Sequence, residues 1–375
     1  MKRYLSLDVF RGMTVALMIL VNNPGSWSTI FPPLRHAAWE GCTPCDLVFP
    51  FFLFCVGVSM AFSLSKFSSL SWEASRKVLK RGVLLYVVGL LLTAFPFYPY
   101  RMDPDLTVWQ NYAQWLGELR LVGILARIAM CYVIASILAL WLQTPKKIWG
   151  AIAVLSIMHV GLLIAFAGPE GAFSLEGNFG RRLDIAILGE GHVYHGYSNA
   201  EGVPVPFDPE GFFGALTGSC TVLIGYLVGK MIRKNSEPSL QHALVARMYT
   251  FSAVSLAGAM LLSIWIPICK PLWSVSYVFY TAGWAMFVMA FLMYLIDIKG
   301  VTKPFFPFQA LGMNPLAMFV LSGLVAKSLP RFLQWDSAAV FGANEWMSLL
   351  YAVLFMLFHL LIAVILYRKK IFIKL

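Results

Sequence analysis

Apolar residues along this chain do not alternate in strand fashion or confine themselves to one helical stripe. They run on in blocks of near-spanning length, separated by polar stretches. Ten such blocks stand out, near residues 6–23, 47–66, 78–97, 119–142, 148–167, 211–232, 247–268, 275–297, 305–327 and 346–368. About twenty apolar residues in a helix cross the hydrocarbon core of a bilayer. A backbone in lipid must satisfy its own N–H and C=O groups, which a helix does. The pattern predicts an all-α, polytopic membrane protein with about ten transmembrane helices, organised as a single domain over residues 1–375. The first block carries Asp8 and Arg11 and has no convincing cleavage site, so it reads as retained.

Composition agrees: the chain is 59% hydrophobic and 13% charged, against roughly 25% charged in soluble domains. The net charge of +11 changes the picture only through its placement. No Lys/Arg stripe interleaved with stacking aromatics appears, so nucleic acid is not an expected partner. Basic residues gather instead in alternate connections. One set is Lys2 and Arg3, then Lys66, Arg76, Lys77, Lys80 and Arg81, then Lys146 and Lys147. It continues with Lys230, Arg233, Lys234 and Arg247, then Lys299 and Lys303, then Arg368, Lys369, Lys370 and Lys374. The sparser set is Arg35, Arg101, Arg181, Arg182, Lys270, Lys327 and Arg331. The positive-inside bias puts both termini in the cytoplasm. The long, Trp- and Tyr-rich loops near 24–46, 98–118, 168–210 and 328–345 then face outward, and loops of that kind tend to carry function.

Five stretches hold candidate chemistry. Ser6-Leu7-Asp8-Val9-Phe10-Arg11-Gly12 opens the first block. Ser6 is a plausible N-cap, and Asp8 and Arg11, three apart, share a helix face and can pair. An ion pair fixing helix contacts and a contact to a phosphate-bearing ligand are both open. The outer segment from Asn22 to Asp46 places a histidine, His36, between two polar groups at adjacent block ends. An imidazole accepts a proton near neutral pH, a carboxylate orients it, and an amide donor suits a developing oxyanion. Cys42 and Cys45 form a lone CxxC without the second pair a zinc site needs, and no metal is expected.

Arg120 and Arg127 lie seven apart in the fourth block, hence on one helical face about 10 Å apart in depth. Intramembrane arginines face a cavity or a partner, and a pair with Glu118 or Asp184 is the structural alternative. The longest outer loop gathers Asp184, His192, Asp208 and Glu210, suited to a cationic or hydroxyl-rich acceptor; His192 and His195, three apart, lack the further ligands that a metal site needs. Asp208 is equally suited to cap the sixth block. Finally, Asn314-Pro315 breaks the ninth block and frees backbone polar groups around a cavity or close partner.

The motifs SLDVFRG, LMILVNNPG, HAAWEGCTPCDLVFPFFLFCVG, LRLVGILARI, LGEGHVYH, DPEG, KPLW followed by SY, and GMNPL run in order from residue 6 to about residue 320. In this they resemble the heparan-α-glucosaminide N-acetyltransferase family, within the transmembrane acyltransferase group. The resemblance is to a bacterial-type member, without the large luminal domain that precedes the first motif in lysosomal members. It implies acetyl transfer from cytosolic acetyl-CoA, as co-substrate, to a glucosamine-type amine or glycan acceptor across the bilayer. The family's catalytic histidine falls on His36, its acidic residue on Asp46 and its asparagine on Asn22, with Asn23 a rival. Arg120, Arg127, Arg11 and Asn314 are then candidates for the coenzyme, and Asp184, His192, Asp208, Glu210 and Trp39 for the acceptor. Direct transfer and an acetyl-His36 intermediate are both open. The resemblance also implies a homodimer, and the topology suits the plasma (inner) membrane. Two alternatives stand: O-acetylation of an envelope polysaccharide, and, from the intramembrane arginines and the broken ninth block, a secondary transporter.

Overall fold

The structure, a computed structural model, describes residues 4–99, 102–235, 237–333 and 336–373. Of the charges named above, Lys2, Arg3, Arg101 and Lys374, and the side chain of Arg331, lie outside the described residues. The helices are α1 (Leu5–Val21), α2 (Val48–Ser63), α3 (Trp72–Ala94), α4 (Val108–Gly117), α5 (Ile124–Leu142), α6 (Pro145–Ala165) and α7 (Phe179–Leu188). They continue with α8 (Ala215–Lys234), α9 (Gln241–Leu262), α10 (Val275–Leu292), α11 (Phe306–Met313), α12 (Pro315–Leu333), α13 (Ser337–Phe341) and α14 (Glu345–Arg368). A two-residue antiparallel ribbon, β1 (Tyr197–Ser198) with β2 (Pro204–Val205), lies in the longest loop.

Each of the ten apolar blocks contains helix. Among the described residues seven helices are long and apolar enough to cross a membrane, or eight if α11 and α12, bent by 78° at Asn314, count as one broken span. The two remaining blocks fall short for different reasons. α1 has 17 residues, and α3 is long but begins with Glu73, Arg76, Lys77, Lys80 and Arg81. The protein is a multi-pass, all-helical membrane protein.

The chain folds into two compact units. The first comprises Met1–Lys66, Thr221–Ile268 and Ser276–Leu375. Within it α1 packs on α2, α11, α12 and α14. Gly12 of α1 and Gly312 of α11 meet backbone to backbone: a Cβ on Gly12 would overlap the Phe308 carbonyl, and one on Gly312 the Asp8 carbonyl. Gly57 and Gly225 bring α2 and α8 together in the same way. With lipid as apolar as any side chain, close backbone approach at small residues supplies much of the helix attraction. α1 begins one residue before Ser6, so Ser6 is not its N-cap. The Leu5 N–H, which has no partner within the helix, instead donates to Asp297 Oδ1 at 3.2 Å, from the far end of the chain. Asp8 and Arg11 do pair, at 3.0 Å.

The second unit is Phe67–Cys220 with Cys269–Val275. In it α3 packs along α5. Polar side chains start its helices as their positions require: Ser71 accepts from Ala74 N, Thr144 from Lys147 N and Asn178 from Arg181 N. Two expectations are corrected here. Residues 119–123 are not helical, so Arg120 lies before α5 rather than inside a span. The cause is pairing elsewhere: Leu121 N donates to the His192 carbonyl at 3.2 Å, and the Leu119 carbonyl accepts from His192 Nδ1 at 2.8 Å. α8 begins at Ala215, so Asp208 does not cap it; Asp208 Oδ1 accepts from Glu210 N within its own turn.

Candidate active site

In the first unit the chain leaves α1 at Asn22 and returns into α2 through a short 3-10 helix, Pro44–Leu47. Pro44 supplies the fixed φ and spare N-terminus that such a start tolerates. Asp46 lies in this turn and is 1% exposed. Its Oδ2 accepts from Ala37 N and Thr43 N, each at 3.0 Å, with the Thr43 hydroxyl also at 3.0 Å. Its Oδ1 lies 2.7 Å from His36 Nδ1. A carboxylate only accepts, so Nδ1 carries the ring proton and Nε2 keeps its lone pair. The imidazole is 45% exposed, so a buried anion holds a ring that remains reachable from outside the unit. The arrangement fits proton acceptance at Nε2, with Asp46 fixing tautomer and angle.

Further contacts complete the loop. Cys45, buried under the ring, has its Sγ 3.2 Å from His36 Nδ1. Gly41, at φ +101°, donates from its N–H to the Ile268 carbonyl at 2.6 Å. The Asp46 carbonyl accepts from the buried Tyr277 hydroxyl, also at 2.6 Å. All six cysteines are thiols, with no disulfide among the described residues.

Asn22 caps the C-terminus of α1 through its backbone, and no hydrogen bond joins it to His36 or Asp46. The neighbouring Asn23 spends its carboxamide on the Ile19 carbonyl at 2.7 Å. Trp39 is half-buried three residues after His36. Within α1, Arg11 donates to the Gly312 carbonyl as well as to Asp8. The Asn314 carboxamide closes the α11–α12 break with the C-terminal segment, donating to the Ile371 carbonyl at 2.9 Å and accepting from Ile373 N at 2.8 Å.

The second unit brings the other candidates together. Arg120 grips Asp208 with two hydrogen bonds, 2.8 and 2.6 Å, and also contacts Glu210. Its guanidinium lies 5.0 Å over the Tyr194 ring. Arg127, 1% exposed, donates from Nη2 to the carbonyls of Pro209 and Gly211, both at 2.9 Å, and stacks 5.4 Å over Trp273. Its Nη1 is buried with no hydrogen-bond partner among the described residues. Neither arginine takes Glu118 or Asp184 as its hydrogen-bond partner: Glu118 is exposed and bonds Gln114, and Asp184 accepts from Phe212 N at 2.8 Å. Burial pushes the Asp184 carboxyl up to about 7, against the opposing pull of the Phe212 N–H and the Arg127 charge. Burial raises Asp208 as well, whereas Glu210 is held down by the Arg120 and Arg127 charges in spite of its own burial. His192 is committed to the Leu119 carbonyl, and His195 is exposed.

Sequence reasoning marks Cys45 only as half of a lone CxxC with Cys42, and Tyr277 only as part of the SY motif. No local pattern signals either contact, because the partners meet through a loop in one case and across 231 positions in the other.

A family model described as heparan-alpha-glucosaminide N-acetyltransferase, catalytic, matches residues 3–179. The human and mouse proteins named heparan-alpha-glucosaminide N-acetyltransferase are similar to this chain, 27% identical over 423 aligned positions and 25% over 417. These alignments take in 99% and 98% of the chain but 60% of each relative, so the chain spans about three-fifths of their length. The matches bear out the resemblance read from the motifs.

Proposed function

We propose that this chain, a heparan-α-glucosaminide N-acetyltransferase-like protein, moves the acetyl group of cytosolic acetyl-CoA to the amine of a glucosamine-type sugar outside the membrane. The observation that carries the reading is the His36–Asp46 pair, an outward-reachable imidazole held by a buried carboxylate at 2.7 Å. The acceptor amine attacks the thioester carbonyl carbon while His36 Nε2 takes the amine proton. The Asn22 side chain, placed at the end of α1, donates to the oxyanion that develops. The carbon–sulfur bond then breaks, and coenzyme A leaves as a thiolate that takes up the proton from the imidazolium. Asp46, with donors filling Oδ2, serves throughout as an orienting anion.

The candidates divide by what their polar groups already do. Arg120, Arg11 and Asn314 are taken up by internal partners and hold the scaffold in this reading. Arg127 keeps one buried donor, Nη1, and is the arginine assigned to the coenzyme. Trp39 offers a ring face for a sugar, while Asp184, His192, Asp208 and Glu210 shape the outer loop. Residues 1–375 form one acyltransferase domain of ten spans, α1 and α3 included, with both termini cytoplasmic in the plasma membrane. Closure of the Asn314 break by the chain's own C-terminal segment favours an enzyme over a transporter.

The test is a proteoliposome loaded with labelled acetyl-CoA and given an outside panel of amino sugars. N-acetylated sugar outside, absent with His36→Ala, supports the proposal. Label on a hydroxyl would move the acceptor to an envelope polysaccharide, and unmodified solute accumulating inside would replace the enzyme with a transporter.

A further inference from the structure

Tyr277 is 0% exposed and sits in the first turn of α10, far along the chain from the His36 loop. A buried tyrosine hydroxyl needs a partner, and this one donates at 2.6 Å to the main-chain carbonyl of Asp46. The same stretch of chain makes a second grip nine residues earlier, where the Ile268 carbonyl accepts from Gly41 N at 2.6 Å. The loop between His36 and Asp46 is therefore fixed at its middle and at its end by the approach to α10. Ser276 braces that approach, its Oγ donating to the Pro267 carbonyl at 2.8 Å.

The consequence lies in how a carboxylate aims. Asp46 Oδ2 is fixed by donors from its own loop. The direction of Oδ1, however, follows the Asp46 backbone, and that backbone is anchored from outside the loop by Tyr277. Displacing the Asp46 carbonyl by a few tenths of an ångström lengthens a 2.7 Å contact and tilts the imidazole. From the geometry we propose that Tyr277 is a positioning residue for the His36–Asp46 pair, setting the ring tautomer by holding the Asp46 main chain. Cys42, Cys45, Asp46, Arg35 and Glu40 are the other titratable or charged groups within or beside the His36 loop. None of them substitutes for an anchor on the Asp46 carbonyl. The proposal rests on the catalytic reading of His36 only for its kinetic consequence; the tautomer it sets is a property of the protein alone.

The experiment compares the full chain with Tyr277→Phe, which keeps the buried ring and removes one donor, in detergent and in proteoliposomes. Histidines are labelled with nitrogen-15, and the His36 signals are identified by their loss in His36→Gln. In the unsubstituted protein neutral His36 shows the Nδ1–H tautomer alone. In Tyr277→Phe it becomes a mixture with the Nε2–H form, which an unrestrained imidazole prefers, and turnover falls about five- to tenfold with KM for both substrates unchanged. An unaltered tautomer in a folded Tyr277→Phe protein overturns the proposal. Should the tautomer shift while His36→Ala retains full acetyl transfer, the positioning stands and the catalytic reading of His36 falls.

Discussion

Arg120 and Asp208 meet across 88 positions in a two-point contact, Nε to Oδ2 at 2.8 Å and Nη2 to Oδ1 at 2.6 Å. The carboxylate is fully buried, and the guanidinium is 26% exposed. Arg120 thereby closes the turn from Asp208 to Glu210, while Arg127, deeper in the same unit, binds the carbonyls on either side of Glu210. The two arginines together hold the turn that leads into α8.

Removing Arg120 leaves two carboxylates facing each other with their cation gone. Arg120→Met is expected to destabilise the protein by about 3 kcal/mol, and Arg120→Lys to recover little, since an ammonium cannot make the two-point contact. Thermal unfolding in detergent measures this. Adding Asp208→Asn and Glu210→Gln to Arg120→Met restores much of the loss if the arginine is a clamp. No restoration would return Arg120 to the coenzyme.

Asp184 gives a pH dependence of defined sign. Its carboxyl is raised from 3.8 to about 7 by burial, so between these values the folded protein holds a proton that the unfolded chain releases. Stability therefore falls as pH rises through this window, and the loss is complete above about 7. Asp184→Asn, which can still accept from Phe212 N, is expected to melt at a temperature close to the unsubstituted protein at about pH 4 and above it at about pH 8. Equal melting temperatures at the alkaline end would mean that Asp184 is ionised and well solvated in the fold.

The crossing of α1 and α11 has no room for a methyl group. Gly12→Ala and Gly312→Ala are each expected to abolish accumulation of monodisperse protein, because the added carbon meets backbone rather than a movable side chain. Gly258→Ala on α9, where nothing lies within 4 Å of the new carbon, should leave yield and elution profile unchanged. Size-exclusion chromatography in detergent separates these outcomes.

For the proposed chemistry, His36→Ala should lower acetyl transfer by about 10²- to 10⁴-fold, the usual contribution of a positioned base. Asp46→Asn keeps a hydrogen-bond acceptor but loses the charge, and its rate should fall between those of the unsubstituted protein and His36→Ala. Steady-state rates with intact coenzyme binding are the measurement. A fully active Asp46→Asn would remove the carboxylate from the mechanism.

Much of this is legible in the residues themselves. Apolar blocks locate every long helix, because the requirement that lipid-embedded backbone bond to itself leaves helix as the available form for an open chain. Spacing alone pairs Asp8 with Arg11, since three residues along a helix is a fixed distance. His36 and Asp46 are recognisable as candidate partners because both lie in the connection between the first two apolar blocks, where a carboxylate suits the orienting of an imidazole.

What the sequence leaves undecided shares one physical cause: hydrogen-bond partners chosen from distant chain. Ser6 has the chemistry of an N-cap, yet Asp297 supplies the anion that α1 uses, and the helix starts earlier as a result. Arg120 reads as intramembrane by its apolar neighbours, but His192 takes the backbone of residues 119 and 121 and holds it out of the helix. Tyr277 carries no local mark of its grip on Asp46. Local composition decides which segments are helical, because helix bonds close within four residues. Tertiary structure decides where α1 and α5 begin and which carboxylate meets Arg120, because those contacts come from chain 73 to 292 positions away.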